Sequence, residues 1–179
     1  MRPVDRVVAA HMPASYELYL IRHGIAEPRG EAWPDDAKRP LTEQGMSRLR
    51  RSARALVRLG VSIDVVLTSP FVRTRQTAEI IAAASGPRPP VINVDALAPG
   101  GAPADLVSEI EKQARRPSIA IVGHEPGIGE LAAWLVGMKQ PIAFKKGGVC
   151  RIDVDALPPR GAGQLRWFLT PKILRSLRK

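Results

Sequence analysis

Short apolar runs alternate with longer amphipathic segments along most of this chain, and this alternation narrows the possible folds more than any other feature. The apolar runs predict six strands, at residues 17–22, 64–68, 91–94, 118–122, 149–154 and 164–169. Apolar residues at helical spacing predict helices at residues 42–59, 73–84, 104–114 and 127–136. We therefore expect an α/β fold, a three-layer α/β/α sandwich with a mainly parallel sheet. The last two strands, joined by the turn at residues 158–161, are predicted to pair as an antiparallel edge.

Length and composition favour one domain. The chain has 179 residues, of which 45% are hydrophobic, enough for a substantial core. We expect residues 16–179 to form a single domain and residues 1–15 to form a flexible N-terminal extension rather than a secretory signal. No apolar run is long enough to cross a membrane, so we expect a cytoplasmic protein. The single cysteine, Cys150, predicts a small buried side chain and neither a disulfide framework nor a metal cluster.

The formal net charge of +10 is unevenly distributed along the chain. Five arginines fall within residues 48–58, and a second basic group occupies residues 160–179 without an acidic residue. Such a charge attracts anions, which include phosphorylated metabolites, acidic proteins and nucleic acid. Aromatic residues make up only 4% of the chain and no nucleic-acid motif is present, so we expect no nucleic-acid partner. The favoured interpretation is that these arginines form solvated faces. An acidic protein partner ranks second, and nucleic-acid binding ranks last.

Basic and imidazole side chains stand at three predicted strand ends. Arg22-His23-Gly24 follows the first strand, Ser69 to Arg73 follow the second, and Gly123-His124 follow the fourth. Parallel strands bring these ends to one edge of the sheet, where ligands bind in open α/β folds. Arginines there can grip phosphoryl oxygens, and a neutral imidazole can attack phosphorus. The flanking arginines oppose protonation of that imidazole, while Gly24 is expected to permit a sharp backbone turn.

Three motifs at these strand ends resemble the signature blocks of the histidine phosphatase superfamily, which has a phosphoglycerate mutase-like fold. They are Leu20-Ile21-Arg22-His23-Gly24, residues 69–78 from Ser69-Pro70 onward, and Val122-Gly123-His124-Glu125-Pro126. Arg39-Pro40-Leu41-Thr42 and the compact length resemble the SixA-type phosphohistidine phosphatases within it. The resemblance implies that His23 is the nucleophile, that Arg22 and Arg73 clamp the phosphoryl group and that His124 is a second phosphoryl-binding histidine. Gly24, Arg39 and Ser69 are further candidates for substrate binding, and no metal or other cofactor is implied.

One departure from larger superfamily members concerns the general acid. Those members carry an acidic residue after the third strand, whereas residues 95–101 here read Asp-Ala-Leu-Ala-Pro-Gly-Gly. A phosphorus–nitrogen bond to imidazole does not need the same acid as an alcohol ester, so this departure favours phosphohistidine as substrate. The carboxylates that could act instead are Asp95, Glu27, Glu31, Asp36 and Glu125, and for each a solvated surface position is favoured.

Three functions remain open. The leading hypothesis is a phosphatase that removes phosphate from a histidine on a protein, such as a phosphotransfer domain or phosphocarrier in signal transduction. The second is a phosphatase of small phosphomonoesters such as sugar phosphates or nucleotides, and the third is a non-catalytic phosphate-binding module. All three predict a pocket that binds phosphate or sulfate and no association with membranes. Lys145 and Lys146 are expected in a solvated turn, which is slightly favoured over a contact to the substrate.

Overall fold

The computed structural model describes residues 15–177. The expected N-terminal extension, apart from Ser15, therefore lies outside the described residues. The strands are β1 (Tyr16–Arg22), β2 (Val65–Thr68), β3 (Val91–Asn93), β4 (Ser118–Gly123), β5 (Val149–Val154) and β6 (Gln164–Leu169). The helices are α1 (Glu43–Arg58), α2 (Val72–Ala84), α3 (Pro103–Glu111), α4 (Gly127–Leu135) and α5 (Pro171–Ser176). Two short 3₁₀ turns cover Asp36–Lys38 and Asp95–Leu97.

One six-stranded sheet runs through the described residues in the order β3-β2-β4-β1-β5-β6. The first four strands in that order pair in parallel, and β5 pairs antiparallel with both β1 and β6. The predicted α/β class, the mainly parallel sheet and its antiparallel edge are therefore confirmed. None of the helices within residues 15–177 has the length and apolarity needed to cross a membrane.

Both faces of the sheet are buried, which explains the continuous apolar runs of its central strands. Leu18 and Leu20 of β1 belong to a core cluster with side chains of α3 and α4. Tyr19 and Ile21, which point to the opposite face, belong to a second cluster with side chains of α1, α2 and α5. The three-layer arrangement thus follows from the alternation of side-chain direction along one fully buried strand.

Helix α1 begins and ends as its sequence predicts. The hydroxyl of Thr42 accepts a hydrogen bond of 2.8 Å from the backbone N–H of Gly45, which caps the first turn. Gly60, just beyond the helix, has a φ of +79°, a conformation that ordinary residues rarely adopt. Helix α5 was not predicted, although Thr170 caps it and Pro171 occupies its first turn. Its six residues are too few for a periodic pattern to be recognised.

The register of the parallel strands places the three candidate strand ends side by side. Arg22 of β1 is the Cα partner of Gly123 of β4, and Thr68 of β2 is the partner of Val122. The residues that follow these strands therefore emerge together at the carboxyl edge of the sheet. The N-termini of α2 and α4 lie at the same edge, a few residues beyond β2 and β4.

Candidate functional site

His23 lies just after β1, where it is held by the end of β4 and by the backbone of its neighbour Gly24. Its N–H donates to the carbonyl of Gly123 over 3.1 Å, and only 6% of the residue is exposed. Its ring Nδ1 lies 2.7 Å from the carbonyl oxygen of Gly24. Because a carbonyl can only accept, Nδ1 carries the hydrogen and donates it. The neutral ring therefore keeps its lone pair on Nε2.

Gly24 lies in a closely packed position after β1. It is not among the described glycines with positive φ, so its backbone angles alone do not require glycine. A Cβ at this position would lie 3.3 Å from Cδ2 of Leu41, tighter than ordinary packing. Its N–H donates to the hydroxyl of Thr77 over 3.1 Å, which ties the loop after β1 to α2.

His124 follows β4 and packs against His23. The ring centroids are 5.2 Å apart and the rings meet nearly edge to face. Nε2 of His124 lies 2.9 Å from the hydroxyl of Ser69, which follows β2, and the Phe71 ring packs at 5.1 Å. Two histidines and a serine from three separate strand ends are therefore in direct contact.

Arg22 and Arg73 each keep one buried nitrogen free. Arg22 donates through Nη1 to the carbonyl of Phe144, and Arg73 donates through both Nη atoms to Asp36. The Nε atoms of both arginines, together with Nδ1 of His124, are buried without a hydrogen-bond partner among the described residues. Buried polar groups are rarely left unpaired. Three of them at one sheet edge suit an anion that can interact with all three.

Asp36 is a partly exposed carboxylate that contacts the candidate site through Arg73, a pairing that the sequence did not indicate. Its carboxylate lies 2.9 Å from Nη2 of Arg73 and 2.8 Å from Nη2 of Arg39, and a third pair joins it to exposed Arg29. Hydrogen bonding to Arg39 and the charge of Arg73 outweigh partial burial and hold the pKa of Asp36 near 2. Arg39, a candidate for substrate binding, bonds Asp36 and the carbonyl of Glu27, so its contact with Arg73 passes through Asp36.

The environment keeps both histidines neutral. Burial lowers the pKa of His23 to about 4; the hydrogen bond to Gly24 opposes this shift, and the charges of Arg73, Arg22 and Lys146 add to it. Burial followed by the charge of Arg73 lowers the pKa of His124 to about 3. Lys146 is exposed but close enough to act on His23. The site therefore favours an unprotonated imidazole next to fixed positive charge.

The other candidate acids lie in ordinary positions or have other partners. Asp95 is exposed in its 3₁₀ turn, and Glu31 is exposed in the loop before α1. Glu125 accepts a 2.6 Å hydrogen bond from the N–H of Phe144, so it supports the same segment that receives Arg22. Among the described residues, no group of three or more His, Cys, Asp or Glu side chains could hold a metal ion.

The sequence did not indicate the roles of two supporting residues, although Thr77 lies within the motif at residues 69–78. Thr77 receives the N–H of Gly24 and itself donates to the carbonyl of Arg73 over 2.8 Å, linking the first two strand ends. Phe144 offers backbone groups to Arg22 and Glu125. Backbone contacts between distant segments leave no mark on residue type.

The fold and the site together define a class of protein. Residues 18–98 match the family model of the histidine phosphatase superfamily, branch 1. The chain belongs to this superfamily, and its phosphoglycerate mutase-like architecture is confirmed by the solved structures that it resembles. Superfamily membership and the similarities below support a phosphatase.

Within the superfamily, the chain is similar to SixA proteins. It is 28% identical over 158 residues to phosphohistidine phosphatase SixA of Escherichia coli, spanning 87% of this chain and 94% of SixA. A structure of the protein histidine phosphatase SixA complexed with tungstate matches with a TM-score of 0.77 and 26% identity, covering 87% of this chain and 97% of SixA. An uncharacterised protein of Picosynechococcus sp. is 43% identical over 119 residues, 65% of this chain and 70% of that protein.

Proposed function

We propose that this protein hydrolyses phosphohistidine on another protein through a phosphorylated His23. The observation that carries the proposal is the convergence of Arg22, His23, Arg73 and His124 at one sheet edge, with unpaired buried nitrogens on three of them. These groups can surround a phosphoryl group while the free Nε2 of His23 serves as nucleophile. The similarity to SixA, one structure of which holds tungstate, supports the same reading.

In the first step, Nε2 of His23 attacks phosphorus and the bond from phosphorus to the substrate imidazole breaks. The electron pair leaves with the substrate imidazole, which takes a proton at its released nitrogen. In the second step, water attacks the phosphorus on His23, and inorganic phosphate and free imidazole result. This is covalent catalysis in two steps, each transferring the phosphoryl group to a nearby acceptor.

The arginines and His124 would stabilise the phosphoryl oxygens as charge moves between them. Arg22 and Arg73 approach from different strand ends, so they can hold different oxygens. Removal of one preorganised donor typically slows such reactions by about a hundredfold or more. Burial, together with the fixed positive charge, also keeps His23 unprotonated. Only an unprotonated ring has a lone pair with which to attack.

The carboxylates favour phosphohistidine over an alcohol ester. Asp36, which lies against Arg73, has a pKa near 2, so it carries no proton to give at neutral pH. The acids of residues 95–101 are limited to exposed Asp95. The departing imidazole can be protonated before or during cleavage and therefore leaves as a weak base, whereas an alkoxide is strongly basic and depends more on an enzyme acid.

Trapping the intermediate tests the proposal. The full chain is mixed with a phosphohistidine-containing protein labelled in its phosphoryl group, quenched in base, digested and mapped for acid-labile label. We expect label on His23, no label and no phosphate release in His23→Ala, and unchanged behaviour in the control Asp95→Asn. Rapid hydrolysis of sugar phosphates with no action on the phosphoprotein would contradict the proposed substrate. Full activity of His23→Ala would contradict the proposed nucleophile.

A further inference from the structure

A cavity of about 560 Å³ adjoins His124 on the face of the sheet covered by α3 and α4. Its walls are the segment between β3 and α3, the start of α3 and the inner side of α4. Gly123 and His124 line it as well, so the cavity borders directly on the strand end that carries the second histidine. A ligand held by His124 therefore has this space beside it.

The walls of the cavity are mostly apolar and carry no positive charge. Leu97, Pro99, Val107, Leu131 and Trp134 contribute to the lining, and no lysine or arginine is among the lining residues. The charged side chains that line it are the carboxylates Glu125 and Glu130. In a chain of net charge +10, this local lack of cations is a marked exception. A negatively charged group would be repelled here, while an uncharged apolar group would gain from leaving water.

The wall between β3 and α3 is a preformed structure. The N–H groups of Leu97, Ala98 and Gly101 donate to the carbonyls of Val94, Asp95 and Ala98 respectively, over 2.9 to 3.0 Å. A Cβ on Gly101 would lie 2.2 Å from the carbonyl oxygen of Ala96, so this turn closes too tightly for any other residue. Such successive turns hold the wall in place without a ligand.

Trp134 provides an apolar surface at the opening. It lies on α4 and lines the cavity, yet 52% of it is exposed. A large exposed indole beside an apolar cavity is typical of sites that bind another apolar group. An indole also stacks well on rings, which favours an aromatic ligand as well as an aliphatic one.

We propose that this cavity binds an uncharged apolar or aromatic group carried by the substrate next to its phosphoryl group. The proposal rests on the proposed function, under which the group is a side chain of the phosphorylated protein adjacent to its phosphohistidine. The phosphoryl group is held by Arg22, Arg73 and His124, and the apolar group extends past His124 against Leu131 and Trp134. Phosphoproteins with an acidic residue in that position are disfavoured by Glu125 and Glu130.

Non-hydrolysable phosphonates test the cavity without depending on catalysis. The dissociation constants of methylphosphonate, benzylphosphonate, (2-naphthylmethyl)phosphonate and (4-carboxybenzyl)phosphonate are measured by calorimetry on the full chain. We expect the naphthyl compound to bind about tenfold tighter than methylphosphonate, because apolar groups in such pockets contribute at least that much. The carboxybenzyl compound is expected to bind more weakly than benzylphosphonate.

Variants locate the effect in the cavity. Trp134→Ala should remove most of the naphthyl preference and leave methylphosphonate binding unchanged, and Ala104→Trp, at an exposed position of the lining, should block the cavity. The matched control is Met138→Ala, which removes a side chain that is 51% exposed but lies outside the lining. Equal binding of all four phosphonates, or a naphthyl preference that survives both cavity variants, overturns the proposal.

A second measurement tests whether the apolar group that the cavity binds is a side chain of a protein substrate or an aryl group of a small molecule. Two phosphohistidine peptides that differ only in a flanking Leu or Asp are compared as substrates. We expect a higher kcat/KM for the Leu peptide and loss of that difference in Trp134→Ala; equal rates in the unchanged chain would contradict the protein-borne group. If the naphthyl compound binds preferentially but the phosphoprotein does not label His23, the proposed function is contradicted and the proposed binding of apolar groups in the cavity is still supported.

Discussion

The hydrogen bond from His23 Nδ1 to its own neighbour, the carbonyl of Gly24, determines which ring nitrogen can react. At 2.7 Å it fixes the hydrogen on Nδ1, and the hydrogen bond from the N–H of Gly24 to Thr77 ties the same residue to α2. The proposed nucleophile is thus oriented by backbone, without a carboxylate partner among its described hydrogen bonds. A carboxylate would bring a negative charge that raises the pKa of the ring. The carbonyl of Gly24 also opposes the lowering of that pKa, but it carries no net charge, and burial together with the arginines outweighs it.

Titration of the two histidines by NMR gives the first test at this scale. Because burial and positive charge disfavour the imidazolium form, we expect His23 to titrate near pH 4 and His124 near pH 3. Both rings should stay neutral at pH 5, where an unfolded histidine, with a pKa of about 6.5, is protonated. Spectra of the urea-unfolded chain supply the control. The signals of His23 and His124 are assigned separately from that of His11, the third histidine of the chain. Titration of either His23 or His124 near 6.5 in the folded chain would contradict the assigned environment.

Asp36 is a positioning residue, since it holds Arg73 through two hydrogen bonds. We expect Asp36→Asn to lower kcat for phosphohistidine about tenfold, the usual scale for losing one charge-assisted bond. Because its negative charge raises the pKa of His124, the same variant should lower that pKa further. Asp35→Asn changes a neighbouring exposed carboxylate that pairs with Lys38 and accepts the N–H of Ala37. An amide oxygen can still accept that bond, so this variant should alter neither. Identical behaviour of the two variants would mean that Asp36 has no special role.

The elements nearest the site are joined by close backbone contacts at the start of α1. Gly45 lies in the first turn of α1, and a Cβ there would be 2.2 Å from the carbonyl oxygen of Ile25. The same carbonyl accepts the N–H of Thr42 over 3.0 Å. The loop after His23 is therefore bonded to the N-terminus of α1 at a distance that admits only glycine.

Alanine substitutions at two helical glycines measure that contact. Gly45→Ala should lower the free energy of unfolding by about 2 kcal/mol or more, because backbone must move away from the new methyl group. Gly127→Ala, in the first turn of α4, meets nothing within 4 Å and should be neutral or stabilising by up to about 1 kcal/mol. Urea unfolding of both variants provides the comparison. Equal stability changes would show that the α1 contact is not close.

Elements with a strong local pattern were predictable, whereas those defined by tertiary contacts were not. The bounds of β5 and β6 agree with their predicted bounds, and Thr42 caps α1 as expected. Helix α3 ends at Glu111 rather than at the predicted Ala114, since the last residues form turns. Helix α5 is stabilised by Leu174, which is fully buried in the core cluster that also contains side chains of α1. A single buried leucine produces no periodic pattern, so this helix was not predictable from the sequence.

The candidate site likewise contains features that the sequence predicted and features that depend on tertiary contacts. The convergence of Arg22, His23, Arg73 and His124 at one sheet edge was predictable because each follows or begins an element in a short, recognisable motif. The role of Asp36 was not, because it depends on a pairing with Arg73 across 37 positions of the chain. The close packing of Leu41 near Gly24 was not predictable, because a tripeptide motif does not show which distant side chain packs against it.

At the scale of the whole molecule, the two faces of the sheet present opposite chemistry on either side of the phosphate site. On the α3 and α4 face lies the apolar cavity with its two carboxylates. On the other face, α1 carries five arginines and a single acid, Glu43, and α5 contains no acid. Burial and the neighbouring charges of Arg48 and Arg51 lower the pKa of Arg175 on α5, so these three guanidinium groups repel one another. An acidic partner would relieve that repulsion.

Ionic strength and charge reversal test whether this basic face contributes to encounter with a phosphoprotein. Arg48 and Arg51 flank Leu49, whose side chain packs near Gly24 and Gly147 beside the site. Opposite charges across an interface mainly accelerate association and are screened by salt. For an acidic phosphoprotein we expect kcat/KM of the unchanged chain to fall as the salt concentration rises. At low salt, we expect the double variant Arg48→Glu with Arg51→Glu to have a kcat/KM about tenfold lower than the unchanged chain.

Two controls decide whether that loss belongs to the basic face. Benzylphosphonate binding should be nearly unchanged in the double variant, because a small ligand reaches only the pocket. Arg160→Glu lies in the turn between β5 and β6, at the end of the sheet away from His23, and should have little effect on the phosphoprotein. Arg160→Glu reverses one charge, whereas the double variant reverses two. If the single variant lowers log(kcat/KM) by half as much as the double variant does, the effect reflects net charge alone. A loss confined to the α1 variant places the acidic partner across α1, with its phosphohistidine over His23.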